Sequence, residues 1–223
     1  DVVINRSLDL IAAPAGQLSL FADGNVRATP NASPTVTMLD AVNAAPLHGD
    51  DPEPVRIVAR SGDIGGEILN FNLAKSARLD AGGDIRNVRL DVQHLNDRDV
   101  TVLNAGGSIV HDTTRAASGV LGSSNLSYRI SGPGRVDFIA GGDIDLGTAD
   151  GILTTGNTAN PFLPETGAAV TLVAGLREEP RFGDFIEEDL VTGTEYAEEL
   201  AAYLEDYEAD PALSNLENFR ALP

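Results

Sequence analysis

What most constrains this chain is a short phrase that returns along it: a hydrophobic run, a small residue, a Gly turn, an Asx or Ser, then Val or Ile. It reads ADGNV at 22–26, RSGDI at 60–64, AGGDI at 81–85, AGGSI at 105–109 and AGGDI at 140–144, with a truncated echo, VAGL, at 173–176. A turn phrase repeated at intervals of tens of residues marks a solenoid, in which each repeat stacks on its neighbours. The intervals between Gly24, Gly62, Gly83, Gly107 and Gly142 are 38, 21, 24 and 35 residues. The shortest is the bare coil, and the longer ones carry loops.

Aligned on the phrase, like residues fall into columns. Two positions before the small residue stand Leu20, Val58, Leu79, Leu103, Phe138 and Leu172, and after the Asx stand Val26, Ile64, Ile85, Ile109 and Ile144. Both columns are expected to point inward. Alternation supports this, because Leu18, Leu20 and Ala22 are separated by Ser19 and Phe21, and Ala77, Leu79 and Ala81 by Arg78 and Asp80. Stacked short strands of this kind predict parallel sheets around one apolar interior, an all-β parallel β-helix.

The Gly column is expected to supply φ > 0 for a sharp corner in each coil. Asn25, Asp63, Asp84, Ser108 and Asp143 beside it are expected to bond their own local backbone in Asx or Ser turns. A calcium column is the functional alternative, but that motif wants GGxGxD nonapeptides, which these phrases lack. No metal and no cofactor is therefore assigned.

Composition suits a narrow core of stacked aliphatics: 23 Gly, 12 Pro, no Trp and 5% aromatic residues in 223. Cysteine is absent, which rules out disulfides and a thiol nucleophile. The chain opens DVVINRSL, without the basic and apolar regions of a signal peptide, so any export signal is expected to lie outside it. No run of about 18 apolar residues is present, so no membrane insertion is expected. The net charge of −19 repels phosphate backbones and argues against a nucleic-acid partner. Residues 177–223 carry 14 acidic and 3 basic residues, a different kind of polymer from residues 1–176.

In that tail the period changes. Tyr196, Leu200, Tyr203, Leu204 and Tyr207 fall on one helical face, with Thr192 and Glu195 placed for a capping box. A second helix is predicted from Asp210-Pro211, leading into Leu213, Leu216 and Phe219. The domain reading is a β-helix over 1–176 and an acidic linker with a helical cap over 177–223, the cap covering strand edges that would otherwise invite aggregation. Loop excursions are expected at 28–54, 113–127 and 148–166, and binding is expected to concentrate there. NVRLDVQHLNDRDVTVL at 87–103 places Val88, Leu90 and Val92 inward with Arg89 and Asp91 outward. SYRISGPGRVDFIAGG is expected to pair two strands across the turn at 131–134.

The ordered phrases AGGDIRNVRLDVQHLNDRDVTVLNAGGSI, ISGPGRVDFIAGGDIDLGTADGILTTGN and AAVTLVAGL, with the acidic tail ending NFRALP, resemble the C-terminal conserved region of filamentous haemagglutinin family outer-membrane proteins. The resemblance covers roughly residues 55–223. It implies a right-handed parallel β-helix belonging to a large exoprotein, secreted to the cell surface of a Gram-negative bacterium through an outer-membrane transporter of the two-partner type. It also implies a non-catalytic structural or adhesive role in adhesion, biofilm or filament formation. The expected partners are a surface glycan or protein receptor, or further copies of the chain.

The enzymatic alternative is a β-helix polysaccharide lyase or glycoside hydrolase. Asp143 and Asp145 flank Ile144 and would emerge on one side, with Asp84 in the matching column of another coil. Against it, these carboxylates occupy the turn column and no Trp is present to stack on sugars. His48, His94 and His111 lack metal-ligand spacing, and Ser118, Ser123 and Ser124 lack a nucleophile elbow. No catalytic residue is assigned.

Overall fold

The structure, a computed structural model, describes residues 1–40, 44–112, 126–147, 149–157 and 160–176. The chain divides into two units, Asp1–Arg177 and Glu178–Pro223, and every described residue belongs to the first. The helices predicted in 195–207 and from 210 onward therefore lie outside the described residues.

Why this sequence makes strands is visible in its alternation: buried and open positions trade places through β6 (Val55–Ala59), β8 (Ala77–Ala81) and β10 (Val100–Ala105). All strand pairings among the described residues are parallel. Three rows run through the stack. The first holds β1 (Val2–Ile4), β4 (Val26–Ala28), the starts of β7 (Ile64–Leu73) and β9 (Ile85–Gln93), β11 (Ile109–Val110) and β14 (Ile144–Asp145). The second holds β2 (Leu8–Leu10), β5 (Thr35–Met38), the ends of β7 and β9, β12 (Tyr128–Ser131) and β15 (Ile152–Thr155). The third is a separate sheet of β3 (Ser19–Ala22), β6, β8, β10, β13 (Arg135–Ala140) and β16 (Ala169–Val173). Among the described residues the chain visits the rows in the same order in each of six coils, the arrangement a parallel β-helix requires.

One apolar cluster fills the interior. Val26, Ile64, Ile85 and Ile109 are fully buried in a single column, as the phrase predicts, and Leu79, Leu103 and Phe138 form another. Each such side chain stabilises by about 1.5–3 kcal/mol. Ala22, Ala59, Ala81, Ala105 and Ala140 stack at the corner, where only a methyl group is carried on every coil.

The structure corrects two members of the predicted columns. Val58 faces outward, and Ile57 takes the inward place beside Leu20 and Leu79. Four residues separate Ala59 from Ile64 where the other coils have three, and counting back from Gly62 across that extra residue lands on the wrong face. With a side-chain period of two, a slip of one residue exchanges inside for outside. Leu172 keeps its register with Phe138 but is 56% exposed, because β16 ends the described sheet.

The SGPG segment does not pair the strands around it. β12 lies between β9 and β15, and β13 between β10 and β16, so the segment is a corner between sheets. Two predicted excursions also return a strand to the stack: β5 lies within 28–54 and β15 within 148–166. Of the remaining predicted excursion, 113–127, residues 113–125 lie outside the described residues.

Candidate functional site

The Asx column is a ladder between coils. The Asn25 N–H donates to Asp1 Oδ1 (2.8 Å), Asp63 N–H to Asn25 Oδ1 (2.8 Å), Asp84 N–H to Asp63 Oδ1 (2.7 Å), Ser108 N–H to Asp84 Oδ1 (2.7 Å) and Asp143 N–H to Ser108 Oγ (3.0 Å). These side chains thus bond the equivalent backbone of the next coil, not their own turn. A rung to a neutral acceptor contributes roughly 0.5–1.5 kcal/mol net, and one to a carboxylate about 1.5–3 kcal/mol.

The ladder also explains the glycines, and differently from the sequence expectation. None of Gly24, Gly62, Gly83, Gly107 and Gly142 has a positive φ. A Cβ there would collide with the ladder oxygen of the coil before: Asp1 Oδ1, Asn25 Oδ1, Asp63 Oδ1, Asp84 Oδ1 and Ser108 Oγ respectively. Glycine is needed for close approach. Left-handed backbone occurs instead at Gly65 (φ 100°), beside an irregularity in the β7–β9 register, where a Cβ would strike the Arg86 carbonyl.

The proposed lyase carboxylates stay apart from any shared chemistry. Asp84 accepts from Ser108 N–H and pairs with Arg86 (2.9 Å). Asp143 and Asp145 are both exposed, and Asp145 Oδ1 accepts from the Gly147 N–H at 2.8 Å. No group of three or more His, Cys, Asp or Glu suited to a metal occurs among the described residues. Ser118, Ser123 and Ser124 lie outside them.

The three histidines are buried at separate packing tasks. His94 Nδ1 lies 2.6 Å from the Pro133 carbonyl, which only accepts, so this nitrogen carries hydrogen. Its Nε2, 2.7 Å from Thr101 Oγ1, then accepts from the hydroxyl in the neutral ring, and the same Oγ1 accepts from Ala77 N–H. His111 donates through Nε2 to the Val88 carbonyl (3.0 Å) and stacks on Tyr128 with centroids 4.7 Å apart. Burial pushes the pKa of both rings down, which favours the neutral form. His48 lies near Asp51, whose carboxylate accepts from the buried Lys75 (2.5 Å); that bond holds Asp51 below the usual carboxylate range. Lys75 also donates to Gln17 (2.6 Å), and Asn96 donates to the Gly49 carbonyl (3.1 Å). Together these contacts pin the excursion between β5 and β6 to the stack.

That pinned excursion borders a groove of about 550 Å³ on the outer face of the second row. Its floor follows from strand alternation: while Val36, Phe71 and Leu90 point into the core, Thr35, Thr37, Asn70, Asn72, Arg89 and Asp91 point out. Met38, Leu39, Pro46 and Leu163 add apolar surface at its border. Asn70 Nδ2 is occupied by the Ser33 and Pro34 carbonyls, and Gln93 Nε2 by the His94 and Ser131 carbonyls and Asn157. Both are structural. Burial raises the pKa of the Asp91 carboxyl, and nearby Arg129 and Arg89 partly oppose that rise.

The alternation in 87–103 places Arg89 and Asp91 outside, as the sequence predicts, but not what faces them. Asn72 and Thr37 arrive beside Asp91 from 19 and 54 positions away through strand register, and Leu39, Pro46 and Leu163 through two of the expected excursions. No signal in one coil marks the groove. Among the described residues, no helix is long and apolar enough to cross a membrane. No family model, no curated protein and no solved structure matches this chain, so the chemistry of its own surface carries the functional reading.

Proposed function

We propose that the chain is a non-catalytic structural and adhesive module of a large bacterial surface exoprotein, secreted by the two-partner route of Gram-negative cells. In this reading the stack is a right-handed β-helix and residues 177–223 form its acidic helical cap. The observation that carries the module reading is the groove: a rigid outer sheet face, walled by a pinned excursion, presents polar groups that the stack itself does not use. Preorganised floors of this kind bind with a reduced ordering cost. Support for the cap comes from the end of the described sheet, where Val170 and Leu172 stand in register with buried Val136 and Phe138 yet are 44% and 56% exposed.

A polysaccharide lyase or hydrolase is the second reading, and Asp91 is the residue that favours it. A carboxyl with a raised pKa beside guanidinium groups in a groove is the sort of acid that such chemistry uses. The test is a glycan array run beside an assay for released products on pectin, alginate and related polymers. The module reading expects attachment or self-association with no turnover. Sustained product release that disappears in Asp91→Asn of intact fold would overturn it.

A further inference from the structure

Arginine in this acidic protein is mostly neutralised. Arg27, Arg56, Arg60, Arg78, Arg86 and Arg135 each pair with a carboxylate. Among the described residues Arg6, Arg89, Arg98 and Arg129 make no ion pair and no hydrogen bond, and of these Arg89 and Arg129 are the two whose charge acts on the Asp91 carboxyl of the groove. They stand on adjacent coils of the groove face, because Arg129 is in register with Asp91 and Asp91 is two residues from Arg89 on β9.

Arg89 stands in one outward row, in register with Asn70 and Thr35, and Arg129 in the next, where Asp9, Thr37, Asn72, Asp91 and Arg129 are successive register partners on five coils. The rungs are spaced by about 4.8 Å, the distance between paired strands. That spacing is close to the length of one sugar residue in an extended glycan, so a glycan laid along the axis meets one polar side chain per residue. An extended peptide is a poorer fit. Peptides add to sheet edges through free backbone groups, and on this face those groups are already used between coils. Guanidinium forks match carboxylates in two parallel hydrogen bonds. Hydroxyl, amide and carboxyl side chains suit ring hydroxyls, and Leu39 and Leu163 can cover sugar C–H faces.

We propose that this face is a binding site for an acidic glycan of the uronate type, running along the stack with its carboxylates on Arg89 and Arg129 and its hydroxyls on Thr37, Asn72 and Asp91. The proposal rests on the module reading and names its ligand class. The full chain is titrated calorimetrically with oligogalacturonate, with a neutral cello-oligosaccharide of equal length and with a heparin oligosaccharide. Oligogalacturonate is expected to bind best. Arg89→Gln and Arg129→Gln are each expected to weaken it about tenfold or more, the loss of one charge-assisted contact. Their melting temperature should stay close to that of the parent, since neither guanidinium has a hydrogen bond or ion pair to lose and only its electrostatic influence on Asp91 is removed. Absence of oligogalacturonate binding, equal binding of the neutral sugar, a preference for heparin, or parental affinity in both variants each overturns the uronate assignment. The same samples are followed for unsaturated or reducing-end products. Binding with turnover would keep the ligand class and sink the non-catalytic reading, whereas self-association without uronate binding would do the reverse.

Discussion

Two outward-facing regions of the stack obey opposite rules. At the corner after the third row, coil after coil carries Gly and then Asn, Asp or Ser, and each oxygen holds the next coil's N–H. On the outer face of the second row the residue type changes at every rung: Asp9, Thr37, Asn72, Asp91, Arg129, Leu153. A position that repeats its chemistry is accounted for by the repeat. A position that varies while keeping its register is free of the repeat, and the groove lies on such a row. Repetition marks scaffold, and variation on a rigid frame marks the surface left for recognition.

The largest effect that tests this contrast lies beneath both regions. Leu79→Asp buries an unpaired carboxylate in the Leu103–Phe138 column and is expected to abolish cooperative folding, whereas Arg78→Asp, on a half-exposed side chain paired with Asp80, is expected to cost about 1 kcal/mol or less. Comparable losses in chemical denaturation would show that the inward register is misassigned.

Next in size is the corner. Gly83→Ala drives a methyl group into Asp63 Oδ1 and is expected to cost more than about 2 kcal/mol. In the double variant with Asp63→Ala the clash partner is gone, so the two costs should not add. Strict additivity in the cycle would mean that the glycine is needed for some other reason. Asp84→Ala alone, which orphans the Ser108 N–H, is expected to cost about 1–3 kcal/mol. Millimolar calcium should leave the melting temperature of the parent unchanged, since the ladder oxygens are already occupied.

Acid should act through the interior before it acts on either outer region. His94 and His111 have folded pKa values pushed below the ordinary value of about 6.5. The unfolded chain then binds protons first as pH falls, so their contribution is fully present above about 6.5 and is lost as pH drops through the lowered folded values. Asp51, held down by Lys75, adds a further loss only at more acid pH, below its ordinary carboxylate range. Thermal melts between pH 7.5 and 5.5 should show a decline that His111→Phe makes shallower, since Phe keeps the stack on Tyr128 and cannot be protonated. An identical slope in the variant would remove His111 from the account.

The smallest effects belong to the groove. Asn72→Ala should change stability by no more than about 0.5 kcal/mol, as for a surface side chain without partners. Asp91→Asn should be neutral or slightly stabilising at pH 7, because burial penalises the carboxylate form, and that small benefit should fade on acidification. A large loss in either variant would make the row part of the scaffold and erase the contrast with the corner.

Much of the frame was legible from the phrase alone. The column from Val26 to Ile109, the alternation of Val88, Leu90 and Val92, and the stacking of Leu79 with Phe138 all follow from period and spacing. What failed did so for local reasons. One extra residue at the corner turns Val58 outward, and the corner glycines serve close approach instead of a positive φ, because a neighbouring coil's oxygen cannot be seen in a single phrase.

The sequence by itself determined that the chain coils, where it turns and which face of each strand is apolar, since these depend on residues a few positions apart. Only the tertiary structure decided which residues from different coils meet: that Asp63 serves Asp84, that Lys75 fastens the excursion at Asp51, and that Asn72, Asp91 and Arg129 share one outward row. Coil lengths of 21 to 38 residues hide such partners from any fixed-period count, and hydrogen bonds between coils set the register that brings them together.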